Sequence, residues 1–120
     1  MAAGERLICA ASALEEGGLG VRFEVDWAGE KTPAFVVRYD GAPVAYLNRC
    51  GHVPVELDFN AGEFFEQSGL YFVCATHGAL YDPESGACRG GPCSGRGLHK
   101  LKVLERDGRI FLIEGNNRHE

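Results

Sequence analysis

The sequence predicts an all-β protein. Antiparallel strands from both ends of the chain form a base sandwich or barrel, and a smaller segment is inserted between them. Three observations predict this. Residues 21–27 alternate strictly between apolar and charged side chains. Two Asp-Gly pairs, Asp40-Gly41 and Asp107-Gly108, each separate two strand-like runs. Seventeen glycines in 120 residues, roughly twice the usual share, suit a chain rich in turns and leave little room for long helices.

Residues 6–10 form a short apolar run at the start. Ser12-Ala13-Leu14-Glu15 has the spacing of a capping box and Gly17 follows, so one helical turn is expected there. In residues 21–27, Val21, Phe23, Val25 and Trp27 share one face while Arg22, Glu24 and Asp26 share the other, the pattern of a half-buried strand. Residues 34–39 and 43–48 flank Asp40-Gly41, a pair suited to a tight hairpin turn. Residues 101–105 and 109–114 flank Asp107-Gly108 in the same way. Between the hairpins lie residues 49–99, with three of the five prolines and four of the five cysteines. Alternation is lost there except in residues 70–73, and a segment so weakly patterned needs something else to hold it. The expected organisation is a single domain over residues 1–120. Its base comprises residues 1–46 and 99–114, the inserted subdomain residues 47–98, and a polar tail residues 115–120.

Composition narrows the function. Hydrophobic residues at 45% and charged residues at 24% are ordinary for one globular domain. Twelve Lys+Arg against 17 Asp+Glu give a formal charge of −5. Nucleic acid is therefore an unfavourable partner, because affinity for phosphates rests on basic side chains. The longest apolar run, residues 70–75, is far short of the about 20 residues a membrane helix needs, so no membrane association is expected. The opening Met1-Ala2-Ala3-Gly4-Glu5-Arg6 lacks the basic and apolar regions of an export signal. The expected location is cytoplasmic and the expected compartment reducing. Five cysteines, Cys9, Cys50, Cys74, Cys88 and Cys93, then favour metal ligation or free thiols over a disulfide framework.

Chemistry concentrates in Cys50-Gly51-His52 and, 21 residues later, Cys74-Ala75-Thr76-His77. Two thiols and two imidazoles suit tetrahedral zinc, or a [2Fe–2S] cluster with two thiolates on one iron and two imidazoles on the other. Gly51 and Gly78 allow the backbone to turn tightly around such a centre. Zinc fingers usually pair Cys with Cys and His with His along the chain. Here each motif mixes one of each, as the two-iron arrangement requires.

The flanking residues extend the pattern. Gly78-Ala79-Leu80-Tyr81-Asp82-Pro83-Glu84-Ser85-Gly86 follows the second motif, then Gly91-Pro92, Leu98 and the strand expected at residues 101–103. Together with the two Cys/His motifs these resemble the Rieske iron–sulfur family, over residues 3–114. The spacing between His52 and Cys74 exceeds what is common in the family, and an enlarged loop at residues 53–73 absorbs it. The resemblance implies one [2Fe–2S] cluster with Cys50, His52, Cys74 and His77 as ligands. It places Gly78, Tyr81 and Pro92 around the cluster, with Tyr81 either donating to a sulfur or packing beneath it. It further implies a single-electron carrier of the ferredoxin kind, with a flavin reductase as donor and an oxygenase or similar terminal enzyme as acceptor. The chain would be a component rather than an enzyme, since it has no second iron site of His and carboxylates and no Gly-x-Gly-x-x-Gly stretch. A small subunit of a nitrite-reductase-type complex, a zinc-stapled interaction domain and a redox sensor are the competing readings.

Two departures bear on potential. The positions at which high-potential members carry a loop-joining disulfide look like Val55 and Thr76, and their Ser donor position looks like Ala79. Losing a donor to the cluster sulfurs lowers the potential. The expected midpoint lies below zero volts in protein-film voltammetry, and a wave centred well above zero contradicts it. The resemblance also implies that the outer ring N–H groups of His52 and His77 meet solvent. Oxidised iron makes them more acidic, so the potential is expected to fall with pH in the alkaline range. A flat profile counts against exposed histidine ligands.

Other residues receive plainer readings. Cys88 and Cys93 bracket Gly90-Gly91-Pro92 and are read as two reduced, partly buried thiols, with a labile disulfide as the alternative. Cys9 is read as a small core residue, and His99 and His119 as surface histidines. Val53, Pro54, Gly78, Ala79 and Leu80 form either an apolar docking tip or a shield for the cluster. Phe59, Phe64 and Phe65 are read as local core, and Glu56, Asp58, Glu63 and Glu66 as a solvated face rather than a steering patch.

Overall fold

The computed structural model describes residues 5–49, 56–58, 60–76, 78–93 and 96–113. The strands are β1 (Glu5–Ala10), β2 (Val21–Trp27), β3 (Glu30–Tyr39), β4 (Ala42–Leu47), β5 (Phe72–Val73), β6 (Leu80–Tyr81), β7 (Cys88–Gly90), β8 (Lys100–Leu101), β9 (Val103–Arg106) and β10 (Arg109–Ile113). They form three sheets, in the orders β1-β10-β9, β2-β3-β4-β8 and β5-β6-β7. Every strand pairing is antiparallel. The all-β expectation holds, and the described residues contain only one short 3-10 turn, Ala11–Ala13.

The central strands β3 and β4 of the four-stranded sheet are buried on both faces. Ala34, Val36, Ala45 and Leu47 pack with Ile110 and Leu112 of the β1-β10-β9 sheet. Phe35, Val37, Val44 and Tyr46 point the other way, into a second core with Leu57, Phe64, Phe72, Cys74 and Tyr81. This explains why residues 34–37 are all buried rather than alternating. Edge strand β2 has only one face to bury, and it keeps the expected alternation.

Both Asp-Gly hairpins form, with positive φ at Asp40, Gly41, Asp107 and Gly108. A third turn of this kind, at Ala28 and Gly29, joins β2 to β3. Its Ala-Gly pair carries a weaker signal, and β3 begins four residues earlier than expected. Pro33 is tolerated inside β3 because its carbonyl accepts from Asn48 N–H at 2.8 Å. That edge of the residue faces the end of β4, so no bond to β2 is lost.

The expected capping box does not form. Ala10 is the N-cap of the 3-10 turn, with no side-chain capping bond. Arg38 instead ties this connection down, donating to Leu14 O at 3.1 Å and Ala11 O at 3.2 Å while pairing with Glu105 at 2.9 Å. The expected strand at residues 101–105 is divided at Lys102. β8 pairs with β4, whereas β9 pairs with β10, so the chain changes sheets there.

Candidate metal centre

Cys74 follows β5 and is fully buried. Its N–H donates to Ala79 O at 2.8 Å, and Gly78 N–H donates to Cys74 O at 2.7 Å. These two bonds tie Cys74 to Gly78 and Ala79, and Ala75, Thr76 and Gly78 are exposed. A buried thiol at the foot of an exposed loop is the arrangement a thiolate ligand beneath a near-surface centre requires.

Cys50, His52 and His77 lie outside the described residues. Among the described residues no group of three or more His, Cys, Asp and Glu side chains is arranged for a metal ion.

The first motif is flanked by a buried hydrogen-bonded cluster. Asn48 and Leu57 are fully buried on either side of it. Leu57 N–H donates to Asn48 Oδ1 at 2.8 Å, and Asn48 Nδ2 donates to Asp58 Oδ1 at 3.0 Å. Asp58 Oδ2 accepts from Gly62 N–H at 2.9 Å and lies 3.4 Å from Arg22 Nε. Leu57 O accepts from Ala75 N–H at 2.9 Å. Leu57 therefore bonds to the near flank of one Cys/His motif and to the interior of the other. This clasp ties the flank of the first motif to Ala75 of the second, and two thiols with two imidazoles are a donor set whose chemistry suits a [2Fe–2S] cluster.

A third segment leans on the same place. Gly91 has φ +83°, and a Cβ there would sit 2.9 Å from Ala79 Cα and 3.0 Å from Gly78 O. Backbone is thus laid directly on backbone, and Pro92 is exposed beside it. Tyr81 is fully buried in the core that holds Cys74.

Some readings are corrected. Cys88 and Cys93 are joined as a disulfide, with Cα atoms 5.7 Å apart, rather than being two thiols. The turn at Gly90-Gly91-Pro92 folds them onto each other, a proximity that sequence spacing does not reveal. Ala79 is fully buried and cannot belong to a docking tip, whereas Gly78 is exposed and Leu80 half-buried. Val53 and Pro54 lie outside the described residues. Asp58 is not on a solvated face: its carboxylate is enclosed by the clasp. Glu56 stays exposed and pairs with Arg22 at 2.5 Å.

Phe64 and Phe65 are core, as expected. Phe64 stacks on Phe35 at 3.8 Å between centroids, and Phe65 packs against Phe72 at 5.1 Å. Phe59 and His119 lie outside the described residues. His99 is exposed, with its ring 4.2 Å from that of Trp27. Cys9 is half-buried at the edge of the base core, and burial raises its thiol pKa against a smaller opposing effect of Arg38.

Sequence reasoning missed Tyr46. Its buried hydroxyl donates to Pro83 O at 2.6 Å, tying β4 to the turn after Tyr81. Burial, reinforced by the charges of Asp82 and Glu84, holds that hydroxyl protonated well above its ordinary range. In the same turn the Glu84 N–H, and then Arg89 at 3.0 Å, keep the Asp82 carboxyl below the usual carboxylate range. Tyr46→Phe is expected to cost about 1–2 kcal/mol in denaturant unfolding, because it leaves a buried carbonyl without its donor. A loss below about 0.3 kcal/mol contradicts this role.

The family model for the Rieske [2Fe-2S] domain matches residues 5–114. The chain belongs to that family, whose cofactor is a [2Fe–2S] cluster. No curated protein sequence matches it. Among solved structures it is similar to the ferredoxin of carbazole 1,9a-dioxygenase from Nocardioides aromaticivorans, with 24% identity and a TM-score of 0.72, covering 90% of this chain and 95% of that one. It is also similar to a Sphingomonas yanoikuyae ferredoxin, with 21% identity and a TM-score of 0.70, covering 91% and 97%. A chain in a complex of reduced oxygenase and oxidized ferredoxin in carbazole 1,9a-dioxygenase matches with 22% identity and a TM-score of 0.71, covering 92% and 94%. These likenesses establish the fold.

Proposed function

We propose that this chain is a single-electron carrier whose cluster is held by the thiolates of Cys50 and Cys74 and the imidazoles of His52 and His77. The observation that carries the reading is the Leu57 node, which bonds to Asn48 beside one motif and to Ala75 within the other. The cluster supplies one-electron chemistry, and the protein supplies its confinement. Buried Cys74 and the clasp hold the two loops in fixed relation, so little rearrangement need accompany electron exchange. Gly91 packs on the backbone of Gly78 and Ala79, and Tyr81 fills the space beneath. Residues 47–98 act as the cluster-binding subdomain on the base formed by residues 1–46 and 99–114.

The donor is a flavin reductase and the acceptor an oxygenase-type enzyme. The similar chain solved in a complex of oxygenase and ferredoxin supports the acceptor. The exposed loop at Ala75, Thr76 and Gly78, beside Pro92, is the face for both exchanges. The proposed location is the cytoplasm. Among the described residues no helix is long and apolar enough to cross a membrane.

Anaerobic titration with dithionite, followed by mixing with an oxidised acceptor of this class, tests the reading. A single electron per chain should be taken up and then passed on. A chain that takes up none contradicts it.

A further inference from the structure

We infer that Cys88 and Cys93 form a second redox site, opened by a dithiol, whose state sets how firmly the Gly91-Pro92 loop is held. The site is built from four observations. The two sulfurs are bonded across a sequence separation of 5. Cys93 is fully buried, whereas Cys88 is partly exposed. Arg89, next to Cys88 in the chain, is exposed and paired with Asp82 at 3.0 Å, so the approach to Cys88 is open and polar. The enclosed turn carries Gly91, whose backbone lies directly on Gly78 and Ala79.

The exposure fixes the direction of attack. A dithiol attacks as its thiolate. It attacks Cys88 Sγ, the accessible sulfur, and Cys93 leaves as a thiolate. A mixed disulfide then joins the reductant to Cys88. The second thiol of the reductant displaces Cys88, leaving an oxidised reductant. Two electrons pass to the pair, and the two protons of the dithiol end on Cys88 and Cys93.

The opened form has a place for its protons. Cys93 Sγ lies 3.2 Å from Gly90 O and 3.6 Å from Leu80 O. In the disulfide these are only contacts, since neither sulfur carries hydrogen. In the dithiol form Cys93 S–H donates to one of those carbonyls. Reduction therefore exchanges a covalent staple for a weak hydrogen bond without leaving a buried donor unsatisfied. The staple closes a short loop, which stabilises less than a long-range one. In a reducing compartment such pairs are usually transient and redox-sensing. Loosening the loop relaxes its pressure on Gly78 and Ala79, next to the expected ligand at position 77.

The thiol chemistry stands on this geometry alone, while its effect on the cluster rests on the electron-carrier reading. The test uses cluster-loaded protein purified without reductant. It is alkylated in denaturant before and after native treatment with dithiothreitol, and the sites are mapped by mass spectrometry. Cys88 and Cys93 should be blocked before treatment and both alkylated after it. Iron content should be unchanged, and the electron paramagnetic resonance spectrum of the dithionite-reduced cluster should shift. Cys88→Ser should reproduce the spectrum of the dithiol-treated protein. Alkylation of both cysteines before treatment, or of neither after it, overturns the site. Superimposable spectra with iron retained overturn its coupling to the cluster. Protein that holds no iron defeats the electron-carrier reading, while the alkylation pattern still decides the disulfide.

Discussion

Replacing Asn48 by alanine is expected to destabilise the protein by about 3 kcal/mol and to lower its melting temperature by about 10 °C. Asn48 is fully buried and uses both ends of its amide. Its Oδ1 accepts from Leu57 N–H, and its Nδ2 donates to Asp58. Truncation leaves a buried backbone donor without its acceptor and weakens the enclosure of a buried carboxylate. Arg22, half-exposed, moderates the second loss. The effect should also reach the cluster, because the clasp closes the base of the loop that carries Cys50 and His52. Iron retained after gel filtration should fall along with stability. Asn48→Ala and Asp58→Ala together should cost less than the sum of the two, since they remove a shared bond. Strict additivity, or a single-variant loss below about 0.5 kcal/mol, contradicts the clasp.

Phe64→Ala is expected to cost about 3–5 kcal/mol, the range for deleting a buried aromatic ring. Phe64 is fully buried and lies parallel to Phe35, at an interplanar angle of 10°. Its ring is also within reach of Gly20, where an added Cβ would come to 2.9 Å. Phe64 thus fastens the enlarged loop to the base sheet, alongside the polar contacts of Glu56 and Asp58 with Arg22. Urea unfolding of the variant measures the loss. A stable variant with weakened binding to an electron-transfer partner would instead make the phenylalanines of this loop a docking surface.

The legible and illegible parts of the molecule divide along a physical line. The hairpins at Asp40-Gly41 and Asp107-Gly108 were readable because a turn is decided by its own residues. Strand β2 was readable because it buries one face. Strands β5 and β6, of two residues each, are too short to carry a period, and they exist because they pair with each other. The two Cys/His motifs stand out by residue type alone, and so does the family they announce. The clasp does not. Asn48 and Asp58 are ordinary polar residues until the chain returns to bury them together, and nothing local separates Asp58 from exposed Glu56. Tyr46 reaches Pro83 across 37 positions of sequence, a contact set by packing of the inserted segment against the sheet. The bond between Cys88 and Cys93 likewise depends on how tightly the intervening turn closes.

Cys50, His52, Cys74 and His77 are proposed to hold one [2Fe–2S] cluster between them. Iron, zinc and acid-labile sulfide should be measured on one anaerobically purified sample, with an electron paramagnetic resonance spectrum at low temperature after reduction. Two irons and two sulfides per chain, the stoichiometry of the family's cluster, with a Rieske-type signal, are the predicted result. One zinc per chain, no sulfide and no signal would contradict the account and leave a metal-stapled structural domain in its place.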